Sequence, residues 1–378
     1  MTDSAKRSRV WRTLLSVLLL PLAIGVQWLS GLSPETVEAF YSRAVYPPIV
    51  AALSRLSSRL PFSLAEVGLA FACLTLAGAL VWLGRTLVRA KGHRWRVLGR
   101  AVVLILFVAG VGYSMFLITW GLNNQRSPFS RSAGLSVHPS DRVELVALST
   151  SLIDEANRLR DGLPEDDRGA MRLEDGTRLA LARTALGVPP LTKRYPWLPR
   201  TAVRPKAAWA SPLMSRLGIA GFYSPLTAEA NVNVEIPPSD VPFSAAHEAA
   251  HQLGFAREDE ANYLGYLICR IHPDVDFRYS GVFTASRHTQ RALASVDRAE
   301  ARALESRRSP AVKRDIATLV AWAARYSGPA MRTFNRANDA YLRSQGQRDG
   351  VRSYGRMVDL LLAAWRAERH PTTPQGER

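Results

Sequence analysis

Two histidines and a glutamate stand in metal-binding spacing at residues 247–251, which read H-E-A-A-H. The surrounding alanines favour a helix, and residues four apart share one helix face, so His247 and His251 can bind the same metal ion. Zinc takes imidazole nitrogen as a ligand. Glu248, beside the first histidine, can take a proton from a zinc-bound water and pass it to a leaving amine. The motif therefore predicts a catalytic Zn²⁺ site that hydrolyses peptide bonds.

A catalytic zinc ion needs a third protein ligand, and three acids follow the motif closely, at Glu258, Asp259 and Glu260. Gly254 is expected to end the first helix, and a second helix is expected to begin at these acids. Glu258 then lies in its first turn, where the helix dipole favours a carboxylate. We expect Glu258 to be the third ligand, with Glu260 and Asp259 as alternatives. Asn262 is expected on the same face, within reach of Glu258 or a ligand histidine.

The stretch 229–236 alternates polar residues with small or apolar ones, as a strand with one exposed face does. Because it directly precedes the metal-binding helix, we expect an edge strand that pairs with an extended substrate. An ordinary sheet strand is the alternative. Glu229 and Asn231 are candidates to line the cleft. The reaction also needs a group that stabilises the oxyanion. The candidates for it are Tyr279, Tyr354, Arg278 and His272.

Three apolar runs in the first third of the chain can each cross a bilayer, at about residues 13–32, 67–84 and 101–122. Basic residues cluster before the first run and between the second and the third. Such clusters stay on the cytoplasmic side, which places the N-terminus there and the chain after the third run outside the cytoplasm. We expect a multi-pass protein of the cell (inner) membrane, with the lipid bilayer as one partner.

The membrane anchor and the remaining chain define the predicted architecture. The fold class is mainly α, with a three-helix transmembrane anchor over residues 1–122 followed by a mostly helical α+β zincin-like metallopeptidase domain over residues 123–370. A polar tail, 371–378, is expected to be disordered. Between the first two spans, residues 49–60 have helical apolar spacing. They are expected to form an interfacial helix on the membrane, or else a connecting loop.

Helical patterning dominates the predicted domain. It indicates helices at residues 140–163 and 177–187, and again from Pro242 onward, with breaks. Residues 188–212 are rich in proline, aromatic and basic residues and are expected to be irregular.

Basic residues exceed acidic ones, and the formal net charge is +17 at pH 7. A basic protein of this kind could bind nucleic acid, but the chain has no arginine-rich arm, aromatic-basic stripe or zinc finger. Much of the excess stands beside the apolar runs, where it sets the topology. We therefore expect no nucleic-acid partner, and a peptide or an envelope protein as substrate. The pattern does not predict the oligomeric state.

The motif and the following run 258–262, which reads E-D-E-A-N, resemble the gluzincin-type pattern of membrane peptidases related to the CAAX-processing and heat-shock proteases. Their second motif is E-x-x-A-D, and that of the phage-repressor-cleaving metallopeptidases is E-x-E-A-N. In those families its first glutamate is the third zinc ligand, which implies Glu258 here. The gap of six residues between His251 and Glu258 is shorter than in those families. The frame from His251 to Gly254 resembles metzincins, but Arg257 stands where their third histidine would be.

Most of the chain is similar to the bacterial membrane family called domain of unknown function 3810. This resemblance implies an architecture more than a known reaction. The matching runs are residues 60–63, 120–123, 211–215, 221–223, 229–233, the zinc motif and 352–358.

Other functions stay open for the same residues. A non-proteolytic zinc-dependent hydrolase would use the same site. A zinc-binding sensor would need the ligands but not Glu248, whose presence favours catalysis. A structural zinc site usually closes with four protein ligands, often cysteines, and only Cys269 is near in sequence. A scaffold or transport protein with a chance motif would bind no zinc.

Overall fold

The computed structural model describes residues 3–347 and 356–369, with side chains from residue 13 onward. The predicted tail 371–378 and Tyr354 therefore lie outside the described residues. The α-helices are α1 Asp3–Ser30, α2 Pro34–Thr36, α3 Tyr46–Ser57, α4 Leu64–Arg89, α5 Arg94–Thr119, α6 Phe129–Ser132, α7 Arg142–Arg160, α8 Gly176–Arg183, α9 Val188–Arg194, α10 Ser211–Leu217, α11 Val241–Gln252, α12 Glu258–Arg270, α13 Val275–Val296, α14 Arg298–Ser306, α15 Pro310–Tyr326, α16 Pro329–Ser344 and α17 Met357–Arg369. A π-helix (Val37–Val45) and two 3₁₀ helices (Gly121–Gln125 and Thr184–Gly187) complete the helical part, and the strands are β1 Lys206–Ala207, β2 Gly221–Ser224 and β3 Glu229–Val232.

Helices α1, α4 and α5 are long and apolar enough to cross a membrane, over Thr13–Ser30, Leu64–Arg89 and Arg94–Thr119. This confirms the three apolar helices expected from the sequence. Helices α1 and α5 pack tightly, because Gly110 has no side chain and a Cβ there would stand 2.9 Å from the backbone nitrogen of Leu20. Small residues allow such close approach between helices in lipid, where packing rather than water exclusion drives association.

The three spans meet the rest of the protein at one end each. At the C-terminal end of α1, the Gln27 amide donates a hydrogen bond to Gln345 (2.9 Å). At the N-terminal end of α4, the backbone nitrogens of Leu64 and Ala65 donate to the Glu229 carboxylate (3.0 and 2.8 Å). The residue that follows α5, Trp120, packs into the same body. The α4–α5 turn is therefore at the far end of the spans.

The segment between the first two spans is helical and packs on the domain. The helix predicted at 49–60 begins earlier, at Tyr46, and follows the π-helix without a break. Tyr46 and Val50 are fully buried, in a cluster with Trp120 and Ala256. One side of this helix thus contacts the domain, and its expected position on the membrane stays a prediction.

Helices α7, α11, α12 and α13 form the centre of the domain, where α13 lies along α7 and α12 lies between α11 and α13. Asp141 caps the N-terminus of α7 and forms a capping box with Glu144. This confirms the helix predicted at 140–163. The expectation of irregular chain at 188–212 is wrong in part, because α9, β1 and the start of α10 lie there. Prolines at the first positions of α9 and α10 begin these helices, since a proline there costs no hydrogen bond.

The small sheet has the order β1-β3-β2, so β3 is its central strand. Strand β3 is parallel to β1 and antiparallel to β2, with Asn231 opposite Phe222. All four residues of β3 are buried. The expectation that this strand is a half-exposed edge is therefore wrong, because its polar residues find partners inside the protein. Among the described strands, β2 is the edge that faces the metal-binding helix.

Candidate metal centre

The H-E-A-A-H motif lies on α11, and its two histidines face one point. The Nε2 atoms of His247 and His251 are 3.1 Å apart. Glu258, the first residue of α12, brings its Oε2 atom within 3.3 Å of His247 Nε2 and 3.6 Å of His251 Nε2. The three residues form the candidate metal cluster of the described chain, with ligand atoms within 4.8 Å of one another. The structure thus brings together the three residues expected to hold the metal.

Two glycines allow this geometry. Gly254 adopts a left-handed conformation (φ +88°), which turns the chain sharply after α11 and starts α12 close by. Gly265 then faces the backbone of His247, where a Cβ would be only 3.1 Å from the His247 Cα and N atoms. Helix α12 therefore approaches α11 closely enough for Glu258 to reach both histidines. Gly265 has no sequence spacing that ties it to the motif.

Hydrogen bonding selects the metal-binding tautomer of His251. Its Nδ1 atom lies 2.6 Å from the Phe255 carbonyl oxygen. A carbonyl only accepts, so Nδ1 carries a hydrogen and Nε2 is the ring nitrogen that faces Glu258 and is left to bind a metal, as in known zinc sites. Burial disfavours the imidazolium, but the Glu258 carboxylate outweighs it and raises the pKa of His251 to about 9. Two imidazole nitrogens and one carboxylate fit a catalytic divalent metal that keeps an open position.

Glu258 and Glu248 differ in their electrostatic surroundings. Burial tends to raise the pKa of Glu258, but His251 and His247 outweigh it and hold this pKa well below the usual range. Burial raises the pKa of Glu248, which is only 4% exposed. The Oε2 atom of Glu248 has no hydrogen-bond partner among the described residues. Glu248 is thus a buried carboxylate with one oxygen that has no partner among the described residues, beside the candidate metal cluster.

The edge strand β2 passes directly over Glu248. A Cβ at Gly221 would lie 2.6 Å from Glu248 Oε1, so a side chain at this position would displace the carboxylate. Residues 218–223, together with α11, line a cleft of about 970 Å³ that contains His247, Glu248 and Glu258. The cleft also contains residues that have no sequence signal linking them to the motif. These are Phe116, Trp120, Asn124, Arg291, Phe334, Asn335, Asn338, Tyr341 and Gln347.

Among the other predicted residues near the motif, Asn262 lines the cleft and Glu260 does not. The Glu260 carboxylate accepts a hydrogen bond from the Phe129 backbone nitrogen (2.7 Å) and lies beside Arg257. Burial raises the pKa of Glu260 to about 7. Of the two glutamates considered as third ligand, only Glu258 faces the histidines.

The strand residues proposed for the cleft are structural. Glu229 pairs with the buried Lys206 and accepts from the start of α4. The Asn231 amide, also buried, donates to the Glu229 carbonyl (3.2 Å). Neither residue lines the cleft. The alternating polar residues of this strand therefore form an ion pair and a hydrogen bond inside the protein instead of lining the cleft.

Of the candidates for an oxyanion stabiliser, Tyr279, His272 and Arg278 lie among the described residues and outside the cleft. Tyr279 is fully buried and donates to Asp315 (2.5 Å). His272 is buried against Phe277, with ring centroids 3.8 Å apart. Neither these residues nor Arg278 line the cleft.

Three side chains from the segments that flank the apolar spans donate hydrogen bonds to the C-terminal end of α11 and the turn after it. Trp120 Nε1 donates to the His251 carbonyl (3.0 Å), and the Tyr46 hydroxyl donates to the Gln252 carbonyl (2.8 Å). Arg126 Nη1 donates to the Gly254 carbonyl (2.8 Å). The last carbonyls of a helix have no partner inside it, so these donors fix the helix end that carries His251.

Comparisons with known proteins identify one family. Neither the curated proteins nor the solved structures contain a match to this chain. A family described as "Protein of unknown function" matches residues 41–362, from the π-helix through the metal centre into α17. The match covers most of the chain, so the protein belongs to the family of unknown function DUF3810.

Proposed function

We propose that this protein is a membrane-anchored zinc metallopeptidase. The observation that carries the proposal is the convergence of His247, His251 and Glu258, with ligand atoms within 4.8 Å, beside the free carboxylate of Glu248. Two nitrogens and one oxygen on neighbouring helices suit zinc with a fourth position open for water or substrate. A structural zinc site would need neither the open position nor Glu248.

The chain's own residues supply the proton chemistry. Zinc, when bound, lowers the pKa of a water and polarises a carbonyl. Glu248 acts as general base: its free Oε2 accepts a proton in the cleft and returns it to the leaving amine. Because burial raises the pKa of Glu248, its carboxylate is a stronger base than an exposed glutamate. Gly221 leaves the space that this carboxylate occupies.

The outer edge of β2 is the substrate-binding strand in this proposal. In the described part of the chain, strand β2 pairs with β3 alone, and its residues 221–223 line the cleft above Glu248. An extended peptide can add to such an edge through main-chain hydrogen bonds. These bonds hold the scissile bond in place whatever side chains the substrate carries. Strand β3, which the sequence favoured for this role, is enclosed on both sides. Hydrogen-bond donors in the cleft that can stabilise the oxyanion are Asn262, Tyr341 and Arg291.

The domain is proposed to lie outside the cytoplasm, on a three-span anchor of the inner membrane. The spans join the domain at the C-terminal ends of α1 and α5 and the N-terminal end of α4. The arginine-rich α4–α5 turn is at the opposite end, and basic residues of this kind are retained in the cytoplasm.

The test is hydrolysis of a mixed peptide pool by the detergent-purified full chain. We expect products whose formation stops with a chelator and returns with added Zn²⁺. Glu248→Gln keeps the size of the side chain and the ligands, so it is expected to bind zinc and to lose at least about 100-fold in rate. A Glu248→Gln protein as active as the wild type would contradict the proposal. Hydrolysis of esters or amides without any peptide cleavage would indicate a non-proteolytic hydrolase instead.

A further inference from the structure

The cleft that contains the metal centre is built partly from the third membrane span. Phe116 belongs to the apolar helix Arg94–Thr119 and lines the cleft together with Trp120. Phe116 is three residues from the end of that helix, about 4.5 Å at 1.5 Å per residue. The Trp120 ring, next along the chain, has its centroid 6.0 Å from that of His251. The metal ligands are therefore only a short distance beyond the outer end of the span.

The same helix turn connects the cleft to the lipid-facing surface. Phe116 contacts the Trp120 ring, with centroids 6.1 Å apart, while its neighbours Met115 and Ile118 are 50% and 57% exposed on the outside of the span. The headgroup layer is about 5–7 Å thick on each side of the hydrocarbon. The metal centre is thus at about headgroup height.

The opposite wall of the cleft also meets the membrane anchor. Helix α16 contributes Phe334, Asn338 and Tyr341 to the cleft. Just after α16, Gln345 accepts a hydrogen bond from Gln27 in the last turns of α1. Two walls of the cleft are therefore connected to apolar spans, one through α5 and the other through the contact with α1.

We propose that the substrate is a polypeptide anchored in the same membrane, cleaved just outside the hydrocarbon layer; this rests on the proposed peptidase function. An extended chain advances about 3.3 Å per residue, so a site at headgroup height meets the first few residues that leave the bilayer. A loop of a folded soluble protein would have to enter the headgroup layer to reach it. Amide side chains in the cleft, such as Asn335 and Asn338, suit an uncharged peptide main chain.

A positional cleavage assay tests this inference. The full chain is reconstituted in phospholipid vesicles with a single-span reporter whose outer side carries an unstructured segment of about 30 residues, a length chosen to extend well beyond the headgroup layer. The same segment without the span serves as the soluble arm, and Glu248→Gln enzyme is the blank. Cut positions are read by mass spectrometry.

We expect cuts to cluster within about 2–6 residues of the hydrocarbon edge, and the soluble segment to be cut at least about tenfold more slowly, because it lacks the high local concentration that tethering gives. Cuts spread along the whole segment, with the soluble arm cleaved equally fast, would overturn the inference and leave the peptidase function standing. If neither arm is cleaved while the protein binds zinc, both the inference and the peptidase function are overturned.

Discussion

The two ends of the metal-binding helix α11 are held by different parts of the protein. At its N-terminal end the partners come from the domain itself. Ser280 on α13 accepts from the Phe243 backbone nitrogen (3.0 Å) and donates to the Ser239 carbonyl (2.6 Å). Arg287, also on α13, pairs with Asp240 (2.9 Å). This end carries neither metal ligand.

At the C-terminal end, which carries His251, the partners come from the segments next to the apolar spans. Trp120 and Tyr46 donate to the carbonyls of His251 and Gln252, and Arg126 donates to the carbonyl of Gly254 in the turn that follows α11. The comparison indicates that the anchor does more than retain the domain at the membrane. The segments next to the spans hold the end of α11 that carries His251, a residue of the proposed metal centre, so we expect changes at the two ends of α11 to have different effects on stability and on metal binding.

Loss of Arg126 is expected to have the largest effect. Its guanidinium is 2% exposed and pairs with the buried Glu38 (2.8 Å) as well as with the Gly254 carbonyl. Arg126→Met leaves Glu38 buried without this partner, which costs about 3–5 kcal/mol of folding free energy. Denaturant unfolding in detergent measures the loss. Arg43→Met is the matched control, because Arg43 pairs with the same carboxylate at the surface and should cost less than about 1 kcal/mol.

The same ion pair predicts a pH dependence. Burial alone would raise the pKa of Glu38, but Arg126 outweighs it and lowers that pKa below 4.5, the value of an unperturbed glutamate. The stabilisation is therefore complete above about pH 4.5 and is lost as the pH falls through the lower folded-state pKa. The stability gap between wild type and Arg126→Met should narrow in that acidic range. If the difference in unfolding free energy between the two proteins stays constant from pH 7 down to this acidic range, the ion pair is not its source.

Ser280→Ala weakens the N-terminal end of α11, whose partners come from the domain itself. It leaves the Phe243 nitrogen and the Ser239 carbonyl without their partner, which we expect to cost about 1–3 kcal/mol. Zinc affinity should stay within about twofold, because neither ligand is at this end of α11. Competition with a fluorescent chelator measures the affinity. A loss of zinc affinity as large as that of an anchor variant would remove the distinction between the two ends.

Trp120→Phe tests the C-terminal end of α11, with a smaller loss of stability than Arg126→Met. It keeps most of the ring but removes the N–H that reaches the His251 carbonyl, at a cost of about 1 kcal/mol. Zinc affinity should fall about tenfold, as it does when a group that orients a ligand is lost. Trp95→Phe is the control, since Trp95 is 87% exposed at the other end of α5. Equal affinities for the two variants would contradict a positioning role.

Local patterns in the sequence predicted the parts that depend on local structure. Residues four apart on a helix predicted the approach of His247 and His251. The first-turn position of Glu258, where the helix dipole favours a carboxylate, made it the preferred third residue ahead of Glu260. Three apolar runs predicted the three long helices.

Contacts between distant segments could not be predicted in this way. Strand alternation does not distinguish a central strand from an edge, so Glu229 was placed in the cleft although Lys206 binds it inside the sheet. Tyr279 was a plausible stabiliser by residue type, but its hydroxyl is used by Asp315 on another helix. Trp120 and His251 are 131 positions apart in the sequence. A periodic pattern within one segment cannot predict a contact between two distant segments.

Zinc content tests the central claim most directly. The detergent-purified chain is measured by mass spectrometry beside the matched pair Glu258→Gln and Glu260→Gln, two glutamates of the same helix turn of which only the first faces His247 and His251. We expect about one zinc per chain in the wild type, as one mononuclear site requires. Glu260→Gln should retain it and Glu258→Gln should lose most of it. A wild type that takes up no zinc after reconstitution, or a Glu258→Gln protein that binds it as tightly as the wild type, would contradict the proposed metal centre.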